Sequence, residues 1–110
     1  MEQRKNFNMK GIINLAMPIE VICQRICAEY NKSLEDLRGK RRTEDLVWPR
    51  QLAMHLCYQA GHNYKDICKY FGRTHGSLSY TNKEVGRMCD VYEGLRKHRI
   101  ILARELGIPV

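Results

Sequence analysis

From Asn63 to Leu78 the sequence starts one helix, stops it and starts another. Asn63 is a strong N-cap residue, with Asp66 three positions on in the first turn. Tyr64, Ile67, Cys68 and Phe71 then share one apolar face at three-four spacing. Gly72 can take the left-handed backbone that ends a helix without steric cost. After Arg73, Thr74 is placed to cap the next helix. Two helices separated by so tight a glycine turn predict a helix-turn-helix.

The rest of the chain repeats the helical period. Pro18 suits a first helical turn, where its missing N–H would have no partner anyway. Ile19, Ile22, Cys23, Ile26, Cys27 and Tyr30 follow as one stripe. Asn31-Lys32 breaks it, and Ser33 caps a short SLEDL turn with Asp36 in a capping-box relation. Beyond a basic loop at 38–42, a longer helix reaches Ala60 from either Thr43 or Pro49, the proline either starting or kinking it. Its core side is Leu52, Ala53, Leu56, Cys57 and Ala60, and Gly61 ends it. In the helix after Thr74, the residues Leu78, Val85, Met88, Cys89, Tyr92 and Leu95 are expected to face inward. Residues 96–106 carry a further pattern through Leu102, Ala103 and Leu106, which either continues that helix or folds back as another. No strand-period segment of useful length occurs. The predicted fold is all-α: a basic arm or short helix at 1–17, a compact helix-turn-helix domain at 18–95 and a helical extension at 96–110.

A chain of 110 residues suffices for one domain with a modest core. Its 19 Lys+Arg against 12 Asp+Glu give a net charge of +7. Polyanions are therefore the expected partners, nucleic acid first and an anionic membrane second. No stretch approaches the roughly 18 consecutive apolar residues of a membrane span. The basic start is followed by an apolar run interrupted by Asn14, without a clear cleavage site, so a cytoplasmic protein is expected. Five cysteines with no CxxC pair argue against a disulfide scaffold or zinc ribbon and predict reduced thiols in the core. No Gly-x4-Gly-Lys-Ser/Thr loop is present, so neither nucleotide nor any other cofactor is expected.

Two constellations could contact DNA. The helix from about 74 to 90 leaves Gly76, Ser77, Tyr80, Lys83, Glu84 and Arg87 opposite its buried stripe, with Arg73 and His75 at its entrance. An α-helix enters a major groove only where its outer face is slim near the N-terminal turn, and Gly76 and Ser77 meet that need. The loop at 38–42 adds Arg38, Lys40, Arg41 and Arg42, with Arg50-Gln51 in the helix beyond. Arginines in such a loop can hold phosphates or enter a narrow minor groove. The bland alternative for both is an ordinary solvated charged surface.

The order Ala28-Glu29-Tyr30, Ser33-Leu34-Glu35-Asp36-Leu37, Lys40-Arg41-Arg42-Thr43, Pro49-Arg50-Gln51-Leu52-Ala53-Met54 and Phe71-Gly72-Arg73-Thr74-His75 resembles the C-terminal DNA-binding domain of the bacterial replication initiator DnaA family. The resemblance covers roughly residues 18–90 and implies a helical domain related to the Trp-repressor group. Such domains read duplex DNA by major-groove contacts plus a minor-groove arginine. Position by position, it implies that Arg42 is that arginine. It places Arg50 and Gln51 on the backbone and a base edge, and His75 at the start of the recognition helix. It gives Ser77 the place of a base-contacting threonine and Lys83 that of a basic residue on the same helix. Arg41, Arg73, Thr74, Gly76 and Tyr80 complete the candidate surface. The family usually reads Gly-Gly-Arg-Asp-His-Thr-Thr. Here one glycine is absent, Thr74 replaces Asp, Gly76-Ser77 replaces the threonine pair, and Glu84 replaces a cation. An aspartate can accept from a cytosine amine and threonine methyls can pack on thymine, so these changes imply a different target sequence.

Other functions fit the residues less well. Cys57, His62, Cys68 and His75 match no zinc-finger interval, and the two cysteines lie on apolar stripes, so no metal is expected. No Cys–His pair comes with an oxyanion hole, and no enzyme is expected. RNA is disfavoured by the lack of exposed aromatic platforms. The main competitor to a DNA reader, in transcription or replication control, is a helical interaction adaptor whose basic face meets an acidic partner. In that reading 96–110 would form a homodimer contact, although intramolecular packing is the commoner fate of such a segment.

Overall fold

The computed structural model describes residues 17–109, and those residues form six helices and no strand. The expectation of an arm or short helix over 1–17 lies, apart from Met17, outside the described residues. In chain order the helices are α1 (Ile19–Tyr30), α2 (Leu34–Arg38), α3 (Glu44–Gln59), α4 (Tyr64–Phe71), α5 (His75–Val91) and α6 (Glu93–Leu106).

Short-range chemistry sets most of the boundaries. Ser33 Oγ accepts from the Asp36 backbone N–H while the Asp36 carboxylate accepts from the Ser33 N–H, a full capping box. Asn63 accepts from the Asp66 N–H and Thr74 from the Ser77 N–H, as their positions predict. Gly72 closes α4 in the left-handed conformation at φ 65°, and its N–H donates to Cys68 O. Asn31 ends α1 the same way at φ 56°. The open question at Pro49 is resolved in favour of the earlier start: Thr43 stands at the N-cap position, α3 begins at Glu44, and the helix runs through the proline.

The tail folds back rather than continuing. Tyr92 adopts an extended backbone (φ −114°, ψ 108°) that interrupts the helical run, so α5 ends at Val91 and α6 begins at Glu93. Tyr92, expected inside, is consequently 53% exposed, and Met88 and Leu95 are only half-buried. The apolar side of α6 packs within its own chain, with Leu102 and Ala103 fully buried.

Helix α3 is the central element, packed against α1, α2, α4 and α5, while α6 lies on α5 and α1. Ile22, Ile26, Leu37, Leu52, Leu56, Ile67, Phe71, Leu78, Val85 and Leu102 are fully buried in one cluster. Each such side chain contributes about 1.5–3 kcal/mol when removed from water. All five cysteines are free and buried in this core. No described helix is long and apolar enough to cross a membrane.

Polar links tie the same helices together. Trp48 Nε1 donates to Tyr30 Oη at 2.9 Å, and Tyr30 Oη lies 2.9 Å from His98 Nδ1. Deeper inside, His55 of α3 is 5% exposed. Its Nε2 lies 3.3 Å from Arg99 Nη1 on α6, and its Nδ1 lies 3.1 Å from Asn82 Oδ1 on α5. Arginine can only donate, so Nε2 accepts and Nδ1 carries the proton given to Asn82. Here the ring is neutral by construction.

Burial holds the His55 pKa below its ordinary 6.5. As pH falls the unfolded chain takes up this proton before the folded one does. We expect stability in urea unfolding to be flat above about pH 6.5 and to fall below it, down through the depressed folded value. His55→Gln should lower stability overall and flatten that slope; an unchanged slope would remove the assignment of a neutral His55.

Candidate nucleic-acid interface

The basic loop is built from its backbone outward. Gly39 is required there, because a Cβ would fall 2.8 Å from the Glu35 carbonyl oxygen. Arg50, from α3, is only 8% exposed. Its guanidinium donates to three carbonyls: Nε to Leu37 at 3.0 Å, Nη1 to Arg41 at 2.9 Å and Nη2 to Asp36 at 2.5 Å. Arg73, from the turn between α4 and α5, donates from Nη2 to Gly39 O at 3.0 Å and from Nη1 to Phe71 O at 2.6 Å. Arg38 lies over the Tyr70 ring at 4.1 Å and donates from Nε to Tyr70 O. The loop is thus fastened to α3 and to the helix-turn-helix by arginine forks, whose planar donors match such carbonyl sets.

That fastening brings two distant parts of the sequence to one side of the molecule. A groove of about 590 Å³ lies between the loop, α3 and the first turns of α5. Of the sequence-predicted residues, Arg42, Arg50, Gln51, Arg73, Ser77 and Tyr80 line it. Thr74, His75, Gly76 and Lys83 are exposed along α5 beyond the groove lining, and Arg41 is exposed on the loop. Tyr80 is the most open of the large hydrophobic residues among those described, at 61%. Gly76 has nothing within 4 Å of where its Cβ would stand, so this turn of α5 presents bare backbone.

The electrostatics of the groove are one-sided. Lys40, Arg42, Arg50 and Arg73 line it, and among the described residues no carboxylate does. Burial and then the charge of Arg73 hold the Arg50 pKa below its usual value, and burial followed by Arg42 does the same for Arg73. Arginine remains charged despite such shifts, so the groove keeps an uncompensated positive field. Two pairs at the edge are matched. Arg41 meets Asp36 at 2.8 Å, and Glu84 takes a bidentate pair from Arg87. The Ser33 backbone N–H first, and the Arg41 charge to a lesser degree, hold the Asp36 carboxyl below its usual range.

Arg50 has a task that the resemblance did not imply. The resemblance implied a backbone contact. In the structure three of its five N–H groups are engaged inside the protein, and its first task is to hold the loop. Lys40 of the basic loop lines the groove as well, and so do Val47, Met54, Gly72 and Thr81, for which the sequence implies no contact. Val47 carried a usable signal: an apolar residue on the outer side of α3, 47% exposed, within a cationic surface.

A helix-turn-helix with a slim, exposed second helix and a fastened cationic loop beside it defines a DNA-binding helix-turn-helix domain. The family model for the bacterial DnaA protein helix-turn-helix matches residues 19–85, more than half of the chain. The chain belongs to that family. It is similar to the chromosomal replication initiator protein DnaA of Limosilactobacillus fermentum, 40% identical over 90 residues, covering 80% of this chain and 20% of the relative. The protein of that name from Sulfurimonas denitrificans is 28% identical over 74 residues, covering 66% of this chain and 17% of the relative. A chromosomal replication initiator protein DnaA 2 of Protochlamydia amoebophila is 34% identical over 76 residues, covering 68% and 17%. The chain spans a fifth or less of the length of these curated relatives.

Arg50→Ala should lower the free energy of unfolding by about 2–4 kcal/mol, since hydrogen bonds to a charged donor are lost from three carbonyls. Arg50→Lys should recover less than half, because a compact ammonium cannot serve three acceptors spread along one plane. Denaturant titration measures both. Full recovery by lysine would show that charge alone, without the fork, holds the loop.

Proposed function

We propose that this domain reads a specific sequence in double-stranded DNA, with α5 in the major groove and the basic loop reaching the neighbouring minor groove. The observation that carries the reading is the shared groove. Arg42, on the loop, and Ser77 with Tyr80, on the recognition helix, open onto one uncompensated positive surface. Gln51 faces the same space from α3 and can bond a base edge. Gly76 and Lys83 supply the exposed outer side of α5, with Ser77 half-buried at the groove and His75 exposed at the helix start. Thr74 caps the helix and fixes its first turn, where base edges are met.

Within this reading Arg50 acts behind the interface. It and Arg73 hold the loop so that Arg42 projects outward, and their remaining charge strengthens attraction for phosphate. Arg41 serves as a phosphate contact. The relatives' names place those proteins in chromosomal replication initiation, and we assign this domain to the control of replication initiation or of transcription at its own site. The departures at Thr74, Gly76-Ser77 and Glu84 make that site different from the one the family usually reads.

Selection from a random duplex library should return one preferred site. Arg42→Ala and Ser77→Ala should each reduce discrimination between that site and random duplex by about 1–3 kcal/mol. Arg41→Ala should weaken all duplexes alike and reduce the salt slope by about one. Failure to enrich any site, or intact preference in both the Arg42 and Ser77 variants, would overturn the reading in favour of an adaptor for acidic partners.

A further inference from the structure

Tyr64, the first residue of α4, touches α5 at three points along one stripe. Its ring lies edge-on to the His75 imidazole, with centroids 5.7 Å apart and planes at 79°. Its hydroxyl accepts from Ser79 Oγ at 3.4 Å and from Asn82 Nδ2 at 3.3 Å. His75, Ser79 and Asn82 are four and three residues apart, so they stack on the same side of the helix. On its other side the Tyr64 ring packs edge-on against Tyr58 of α3, at 5.3 Å and 70°. Asn82 is held in turn by His55. A single side chain thus joins α3 and α4 to the first two turns of α5, on a side of that helix distinct from Ser77 and Tyr80.

We propose that Tyr64 is a positioning residue for the DNA-reading face. It fixes the ring plane of His75, while making no contact with DNA itself. This rests on the DNA-reading function proposed above. The physical reason is geometric. An exposed histidine at a helix start has several rotamers open to it, and an aromatic neighbour at edge-to-face distance selects one of them. A base contact needs its donor placed within a fraction of an ångström, so the selected rotamer sets which base is favoured. The two hydroxyl contacts further along the helix also steady the Tyr64 ring beside His75. The sequence gives no hint of this role, because Tyr64 reads there as one more residue of an apolar helix face.

The test uses the full chain and two readouts. The first, without DNA, is the proton shift of the His75 imidazole by NMR. The ring-current displacement should be lost in Tyr64→Leu and retained in Tyr64→Phe, which keeps the ring. The second is binding to duplexes carrying every single-base change in the selected site. Tyr64→Leu should relax preference about fivefold or more at the base pairs that His75→Ala relaxes, with the salt slope unchanged. Tyr64→Phe should restore most of that preference, and Tyr64→Leu combined with His75→Ala should discriminate no worse than His75→Ala alone. If Tyr64→Leu fails to fold, Tyr64→Met fills the space without an aromatic face and serves the same comparison.

Wild-type preference in Tyr64→Leu at the base pairs relaxed by His75→Ala would overturn the positioning role and leave the DNA reading intact. Even relaxation across all base pairs would overturn it too, because it would mark general loosening of the fold. A wild-type chain that prefers no duplex would remove the DNA reading itself, and this role with it, whatever the NMR result.

Discussion

A planar guanidinium bonded to three carbonyls of α2 and the loop after it is the constraint on which the functional side of this molecule depends. Arg50 gathers the carbonyls of Asp36, Leu37 and Arg41, and Arg73 takes that of Gly39. Without these bonds a run of four cations within five residues would spread by mutual repulsion and lie loosely in solvent. With them, the backbone of residues 36–41 is held against α3 and the helix-turn-helix, and repulsion is redirected outward. Arg50 and Arg73 are then fixed in place before any ligand arrives, so little of their ordering entropy is left to lose on binding.

Much of the fold was legible because its signals are local. Ser33 with Asp36, Asn63 with Asp66, Gly72, and Thr74 with Ser77 all act within four residues, and the structure shows each as its residue type predicts. The break at Tyr92 was not legible. No glycine or proline stands at the break itself, Gly94 lying two residues beyond it, and the apolar period runs on across it, so the packing of α6 on α1 and α5 decides where the chain turns. The start of α3 was ambiguous for a similar reason. Proline is tolerated inside a helix whose other contacts hold it, and those contacts come from four different helices.

The candidate site was legible in its members more than in their division of labour. Arg42, Gln51, Ser77 and Tyr80 do share one groove. Arg50 shares it too, yet its donors turn inward. Nothing in the sequence distinguishes an arginine that meets solvent from one that staples a loop, because the acceptors are backbone carbonyls carrying no residue identity. The resemblance to the DnaA family could place Arg50 near the ligand without telling which way its fork points.

The five buried thiols carry a consequence of their own. Burial raises the pKa of Cys27, Cys68 and Cys89, which keeps them protonated and poorly nucleophilic. They also lie at graded depth, Cys27 and Cys68 slightly open, Cys89 nearly closed, Cys23 and Cys57 sealed. The molecule therefore carries its own breathing gauge. An alkylating reagent would register opening of the outer shell at α1 and α4 well before it registered separation of α1 from α3, so partial loosening could be told from global unfolding without any added label.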